Sequence, residues 1–156
     1  MFVTTLADIS SVLNDFGIAS EIKSASELQR YDYDNSASKE VRLIVKVELM
    51  SSLPLVVRFK NEADVSLEAV ESQSRFADIL RRNGILTPFQ YQSAGAFAKR
   101  YEINGYEVIV TVEQFAENEI RIVDAAIAEK TGELLAKMHN VSEKRDLHVS
   151  GKVLYD

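Results

Sequence analysis

Hydrophobic and polar positions alternate most cleanly between Lys39 and Met50. Val41, Leu43, Val45, Val47 and Leu49 fall on one side, and Arg42, Ile44, Lys46 and Glu48 on the other. A period of two predicts a half-buried strand. Ser51-Ser52 closes it. The run Leu55–Lys60 is apolar, β-branched and short and predicts the next strand, with Pro54 tolerated at its start. One cation, Arg58, lies inside that run. After a polar break the spacing turns helical. Ala69, Val70, Phe76, Ala77 and Leu80 form one stripe, and Gly84 is placed to end the helix. At about 100° per residue, Gln73 falls in the middle of the stripe. Glu71 falls opposite, with Glu68, Arg75, Asp78 and Arg82. The pattern therefore aims Gln73 at the strand and leaves Glu71 solvated. The plainer alternative for Gln73 is an amide satisfied in a half-buried seam.

The flanks fill in an α+β architecture. Thr4 or Thr5 can cap a short helix through Leu6, Ile9, Val12, Leu13 and Phe16, which Gly17 stops and which would pack on the domain as a flap. Residues 21–33 include one strand, and Asp34-Asn35-Ser36-Ala37-Ser38 is a turn by its chemistry. A short strand is expected over Phe89–Ser93. Asn104-Gly105 between two apolar-rich runs, Ala96–Ile103 and Tyr106–Phe115, is a hairpin signal, because both residues accept positive φ. This gives a five- to six-stranded, mostly antiparallel sheet with one packing helix after the third strand. From Ile120 the pattern is helical again. Ile120, Val123, Ile127, Thr131, Leu134, Met138 and Val141 share a stripe that Leu135 and Ala136 widen, with Asn118 or Asp124 as the cap. That stripe exceeds what the sheet can cover. It predicts self-association through Ile120, Ile127, Leu134 and Met138 as a homo-oligomer.

Composition narrows the chemistry. The 156 residues amount to about one domain, large enough to bury ~70% of its unfolded surface. There is no cysteine and there are only two histidines, His139 and His148, so thiolate chemistry and histidine metal sites find no support. The net charge of −6 disfavours nucleic acid as a partner. No basic n-region opens the chain and no apolar run approaches the ~20 residues of a membrane span. A cytoplasmic location is the expectation that follows, with no membrane partner.

Four stretches carry a resemblance. Val56-Val-Arg58, the helix with Val70-Glu-Ser-Gln-Ser-Arg-Phe76 and its exit Gly84-Ile-Leu-Thr-Pro88, the connector Val112-Glu-Gln-Phe-Ala-Glu-Asn118, and Gly132-Glu-Leu-Leu-Ala-Lys-Met-His139 occur in the order of a protein-kinase-like N-lobe. In detail they resemble the aminoglycoside phosphotransferase / choline kinase family, over about Asp34 to His139. The resemblance implies a kinase-like N-lobe over residues 21–115 behind an N-terminal helical flap at 1–20. Residues 116–156 would then form a hinge and the long helix that begins the C-lobe, ending before a catalytic loop.

It also implies roles. Arg58 would contact the phosphates of ATP, where the family usually has Lys; either side chain can bind phosphate. The family's cation-orienting glutamate falls on Gln73, the residue that the helical phase also turns inward. Asp34, Asn35 and Ser36 would lie in the loop over the phosphates. The carbonyl of Glu113 and the N–H of Phe115 would meet the adenine edge; the plainer alternative for Glu113, Gln114 and Glu117 is a solvated connector. His139 is followed by Asn140-Val141 and His148 by Val149-Ser150, so no His-x-Asp loop is present. Magnesium and a small-molecule phosphate acceptor would belong to a longer protein, and this chain would be the nucleotide-binding portion without catalytic residues. The rival from a different class is a non-catalytic interaction module that pairs through residues 120–141. A stand-alone nucleotide sensor is a third.

Overall fold

The computed structural model describes residues 1–34, 39–62, 65–117, 120 and 122–147. Three helices and five strands run in the order α1 (Leu6–Asp15), β1 (Ile22–Asp34), β2 (Lys39–Leu49), β3 (Leu55–Asn61), α2 (Leu67–Arg82), β4 (Ala98–Ile103), β5 (Tyr106–Gln114) and α3 (Ala125–Arg145). The strands form one open antiparallel sheet in the order β1-β2-β3-β5-β4. The β4–β5 hairpin turns at Asn104 and Gly105, both at positive φ (51° and 76°), the geometry that this dipeptide favours.

The sheet has two unlike faces because the side chains of each strand alternate. One face presents Val41, Leu43, Val45 and Val47 from β2, Leu55, Val57 and Phe59 from β3, and Val108, Val110 and Val112 from β5, all buried. α1 closes that face with Ile9, Val12 and Leu13, and Phe2, Phe16 and Ile18 join the same core. Thr5 caps α1 and Asp8 returns the bond to the Thr5 N–H, a reciprocal capping box. The chain before α1 is pinned to β1: Phe2 N–H donates to Asp32 at 2.6 Å, and Arg30 donates to the Phe2 carbonyl at 2.7 Å.

The far end of α1 is tied to β4. Asp15 Oδ2 accepts from both Lys99 Nζ and Tyr101 OH at 2.7 Å. Those two bonds hold the Asp15 carboxyl below its ordinary range, and burial and then Asp15 push the Tyr101 phenol well above its own. The lowered carboxyl stabilises the fold above the unfolded value of about 4, and that contribution is lost as pH falls through the folded value. The raised phenol stabilises below about pH 10, and its contribution is lost as pH rises further. Urea unfolding across pH should therefore give an Asp15→Asn variant whose deficit against wild type is largest between those limits and shrinks on both sides. A deficit independent of pH would show that the cluster does not titrate as a unit.

The opposite face carries α2 and is more polar. α2 has Ser66 as its N-cap, and its exit passes through Gly84 at φ 85°. Its buried positions are Ala69, Val70, Ser74, Asp78 and Leu80, whereas Phe76 and Ala77 are only half-buried. Apolar spacing thus mis-set the phase of this helix by counting only apolar residues. The sheet beneath is lined by Arg58, Lys60, Thr111 and Glu113, so part of the covered line is polar. Asp78, expected in solvent, is buried and pairs with Arg82 at 2.7 Å. Glu71, also expected in solvent, accepts from the N–H groups of Phe97 and Ala98 at 2.7 and 2.8 Å. It thereby binds α2 to the start of β4. The apolar part of this face is small: Val70, Ala98 and Ile109, with Val65 and Leu67 against them.

Two further expectations are revised. Phe89–Ser93 is not a strand; it makes isolated bridges, Gln90 with Glu113 and Ser93 with Ala96. The last helix begins at Ala125 with Asp124 as its cap, so Ile120 and Val123 precede it. None of the α3 residues is buried. Among the described residues, no helix is long and apolar enough to cross a membrane.

Candidate functional site

Arg58 sits in the middle of β3, opposite Ile44 of β2 and Thr111 of β5. Strand alternation puts it on the α2 face with Val56 and Lys60. Its Nε and Nη2 both donate to Glu113 Oε1, at 3.0 and 2.8 Å. Glu113 Oε2 accepts from Gln90 Nε2 at 2.8 Å. The pair is partly shielded, with side-chain exposures of 27% for Arg58 and 16% for Glu113. Two bonds converge on one oxygen, so the guanidinium fork is not matched to both carboxylate oxygens. The second oxygen instead anchors the segment that leads from α2 to β4.

The charge partner of Arg58 is therefore the side chain of Glu113, a residue from which the sequence suggested only backbone contacts or a solvated connector. Gln73 lines the same cavity as Arg58, but the described hydrogen bonds of Arg58 run to Glu113. A signal for Glu113 was present in the strand period. Counting back by two from Glu113 gives Thr111 and Ile109, so its carboxylate shares a face with Arg58 once β5 pairs β3. Lys60 was missed in the same way, since it stands two residues after Arg58. Asn35 and Ser36 lie outside the described residues.

Two cavities flank the Arg58–Glu113 pair. The larger, about 530 Å³, opens at the end of the sheet where β5 leaves it. Leu28 of β1, Ile44 of β2 and Val56 of β3 give it an apolar wall. Glu113, Gln114, Phe115 and Ala116 form the opposite side, and Arg58 reaches into it. Lys46 Nζ lies 4.3 Å from the centre of the Phe115 ring, so a second cation stands at this rim. The Phe115 N–H donates to the Pro54 carbonyl at 3.0 Å, so the backbone donor expected to meet a base is already bonded. The smaller cavity, about 170 Å³, lies behind Arg58 between α2 and the sheet.

Compared with family models, curated proteins and solved structures, the chain matches none. The chemistry open to it is then that of the site itself. An apolar wall on one side, the connector Glu113–Ala116 on the other and a cation at the inner end suit a planar ring joined to an anionic group. Among the described residues no group of three His, Cys, Asp or Glu side chains could hold a metal. The donor set for Mg²⁺ is thus not assembled among them.

Proposed function

We propose that this chain is the nucleotide-binding lobe of an ATP-dependent small-molecule phosphotransferase of the aminoglycoside and choline kinase type. The observation that carries the reading is Arg58. It stands in mid-strand, held by Glu113, at the inner end of a cleft of about 530 Å³ with an apolar wall from three adjacent strands. The sheet order β1-β2-β3-β5-β4, with a helix inserted between β3 and β4, agrees with such a lobe. In this reading the adenine lies against Leu28, Ile44 and Val56, the connector 113–116 borders its edge, and Arg58 meets the phosphates. The chain contributes binding and orientation. The base that positions an acceptor and the magnesium ligands are not assigned to any of its residues. The acceptor is a small molecule whose identity depends on groups outside this site.

Affinity should be weak, on the order of mM, for two physical reasons. The Phe115 N–H has to leave Pro54 before it can meet a base, and phosphates have to compete with Glu113 for Arg58. Calorimetry with ATP and with adenosine tests this. Arg58→Ala should weaken ATP roughly tenfold, the size of one charged hydrogen-bonding partner, and leave adenosine nearly unchanged. Equal affinity of wild type and Arg58→Ala for ATP would remove Arg58 from the site and with it the reading.

One observation favours a second reading. α3 has no buried residue, and Ile122, Val123, Leu134 and Leu135 are exposed on it or just before it. A non-catalytic module that self-associates through Ile120, Ile127, Leu134 and Met138 would cover that surface. Light scattering on the same samples separates the two. A concentration-dependent dimer that Leu134→Glu abolishes, with no response to ATP, would favour the module; a monomer at high concentration would exclude it.

A further inference from the structure

Two side chains meet at the outer end of the larger cleft, over a strand to which neither belongs. Lys46 lies on β2, opposite Val56 of β3 and Ser26 of β1. Phe115 is the first residue after β5, and its N–H reaches the Pro54 carbonyl just before β3. The sheet order β2-β3-β5 puts β3 between them. Adjacent strands are about 4.8 Å apart, so the two backbones stand roughly 10 Å from each other. The Lys46 ammonium is nevertheless 4.3 Å from the centre of the Phe115 ring. Strand alternation places Lys46 on the face of Ile44 and Glu48, and Phe115 lines the cleft together with Ile44 and Val56. The pair thus forms a strap over the start of β3.

Phe115 stands where sheet pairing stops, and Ala116 and Glu117 beyond it are exposed. Its backbone bond to Pro54 fixes the main chain, but a backbone bond does not choose a side-chain rotamer. A cation over the ring face does, because the attraction is lost when the ring turns its edge to the charge. Lys46 is itself held, since its ammonium pairs with Glu48 at 2.7 Å, and its side chain is 24% exposed. Partial shielding strengthens the contact with the ring. The described lining of the cleft includes Phe115 and not Lys46, so Lys46 acts on the cleft through the ring.

We propose that Lys46 is a positioning residue for base recognition. It holds the Phe115 ring as the outer wall of the cleft, so that a planar base is gripped between Phe115 and the apolar wall of Ile44 and Val56. The proposal rests on the nucleotide-binding reading and adds a division of labour to it. Arg58 sets the affinity for the phosphates, and Lys46, through Phe115, sets the affinity for the base.

Nuclear magnetic resonance titrations of the full chain with adenosine and with ATP, at constant ionic strength, test it at the amides of Ile44, Val56 and Phe115. Lys46→Met keeps an unbranched apolar stem and removes the charge. It should weaken adenosine and ATP by the same factor, about two- to fivefold, the size of a partly shielded cation–π contact. Lys46→Arg should restore both affinities to within about twofold, since a guanidinium also stacks on a ring. In a Phe115→Leu background, Lys46→Met should change neither affinity further. A general loss of stability would produce neither the rescue nor the dependence on Phe115. Lys46→Gln takes the place of Lys46→Met if that variant does not fold. Weakening of ATP alone would make Lys46 a phosphate contact and overturn the proposal. Unchanged adenosine affinity without the charge, or an equal loss in the Phe115→Leu background, would overturn it as well. In each of these cases wild type still binds ATP, and the nucleotide reading stands. Absence of saturable shifts in wild type with both ligands would overturn that reading and this proposal together.

Discussion

Replacing Phe59 by Ala should destabilise the chain by about 3–5 kcal/mol, the range for removing a buried aromatic ring. Phe59 is 0% exposed in the middle of β3. Its ring lies 5.6 Å from that of Phe2, which in turn lies 5.5 Å from Tyr106. The three rings join the N-terminal segment, the centre of the sheet and the β4–β5 hairpin. Loss of the Phe59 ring opens a cavity that a strand paired on both sides cannot close by collapse. Since a domain of this kind has about 5–15 kcal/mol in total, the variant should be close to unfolding. Phe59→Leu keeps most of the volume and should cost about 1–2 kcal/mol. Urea denaturation gives both values. A loss under 1 kcal/mol for the alanine variant would mean that Phe59 is not packed between Phe2 and the sheet.

That apolar face was legible before any coordinates, because it obeys one rule. From Val41 to Leu49 every second residue is apolar, and those residues are the buried ones. The hairpin at Asn104-Gly105 and the cap at Thr5 are local chemistry, fixed within four residues, and they were equally readable. The α2 face was not. There the helix lies on a polar stretch of sheet, so its buried positions include Ser74 and Asp78, and a count of apolar residues turns the helix by part of a turn. Glu71 was unreadable for another reason. Its partners, the N–H groups of Phe97 and Ala98, are 26 and 27 residues away in sequence. No local pattern announces such a bond.

The site divides along the same line. The cation in mid-β3 and the connector after β5 could be picked out from the sequence, since each stands out within its own run. Their relation could not, because Arg58 and Glu113 are separated by 55 residues and meet only through the β3–β5 register. Once that register is known, the charge logic changes. A neutral Gln73 beside Arg58 would have left the cation uncompensated. A carboxylate at Glu113 compensates it fully and makes it harder for a phosphate to claim.

Glu113→Gln should therefore move stability and phosphate affinity in opposite directions. A charged hydrogen bond contributes about 1.5–3 kcal/mol and a neutral one about 1, so the fold should lose on the order of 1 kcal/mol. The new amide also sets its N–H₂ against the Gln90 N–H₂ unless one of them turns, which adds to the loss rather than offsetting it. Affinity for ATP should rise several-fold over the same change. The carboxylate repels the phosphates and holds Nε and Nη2 of Arg58, and the amide does neither to the same degree. Calorimetry and urea unfolding on one set of samples read both signs. If affinity and stability fall together, Glu113 orients Arg58 for the phosphates and does not compete with them. If ATP binding is unchanged while stability falls, Arg58 and Glu113 form a structural pair and the nucleotide lies elsewhere.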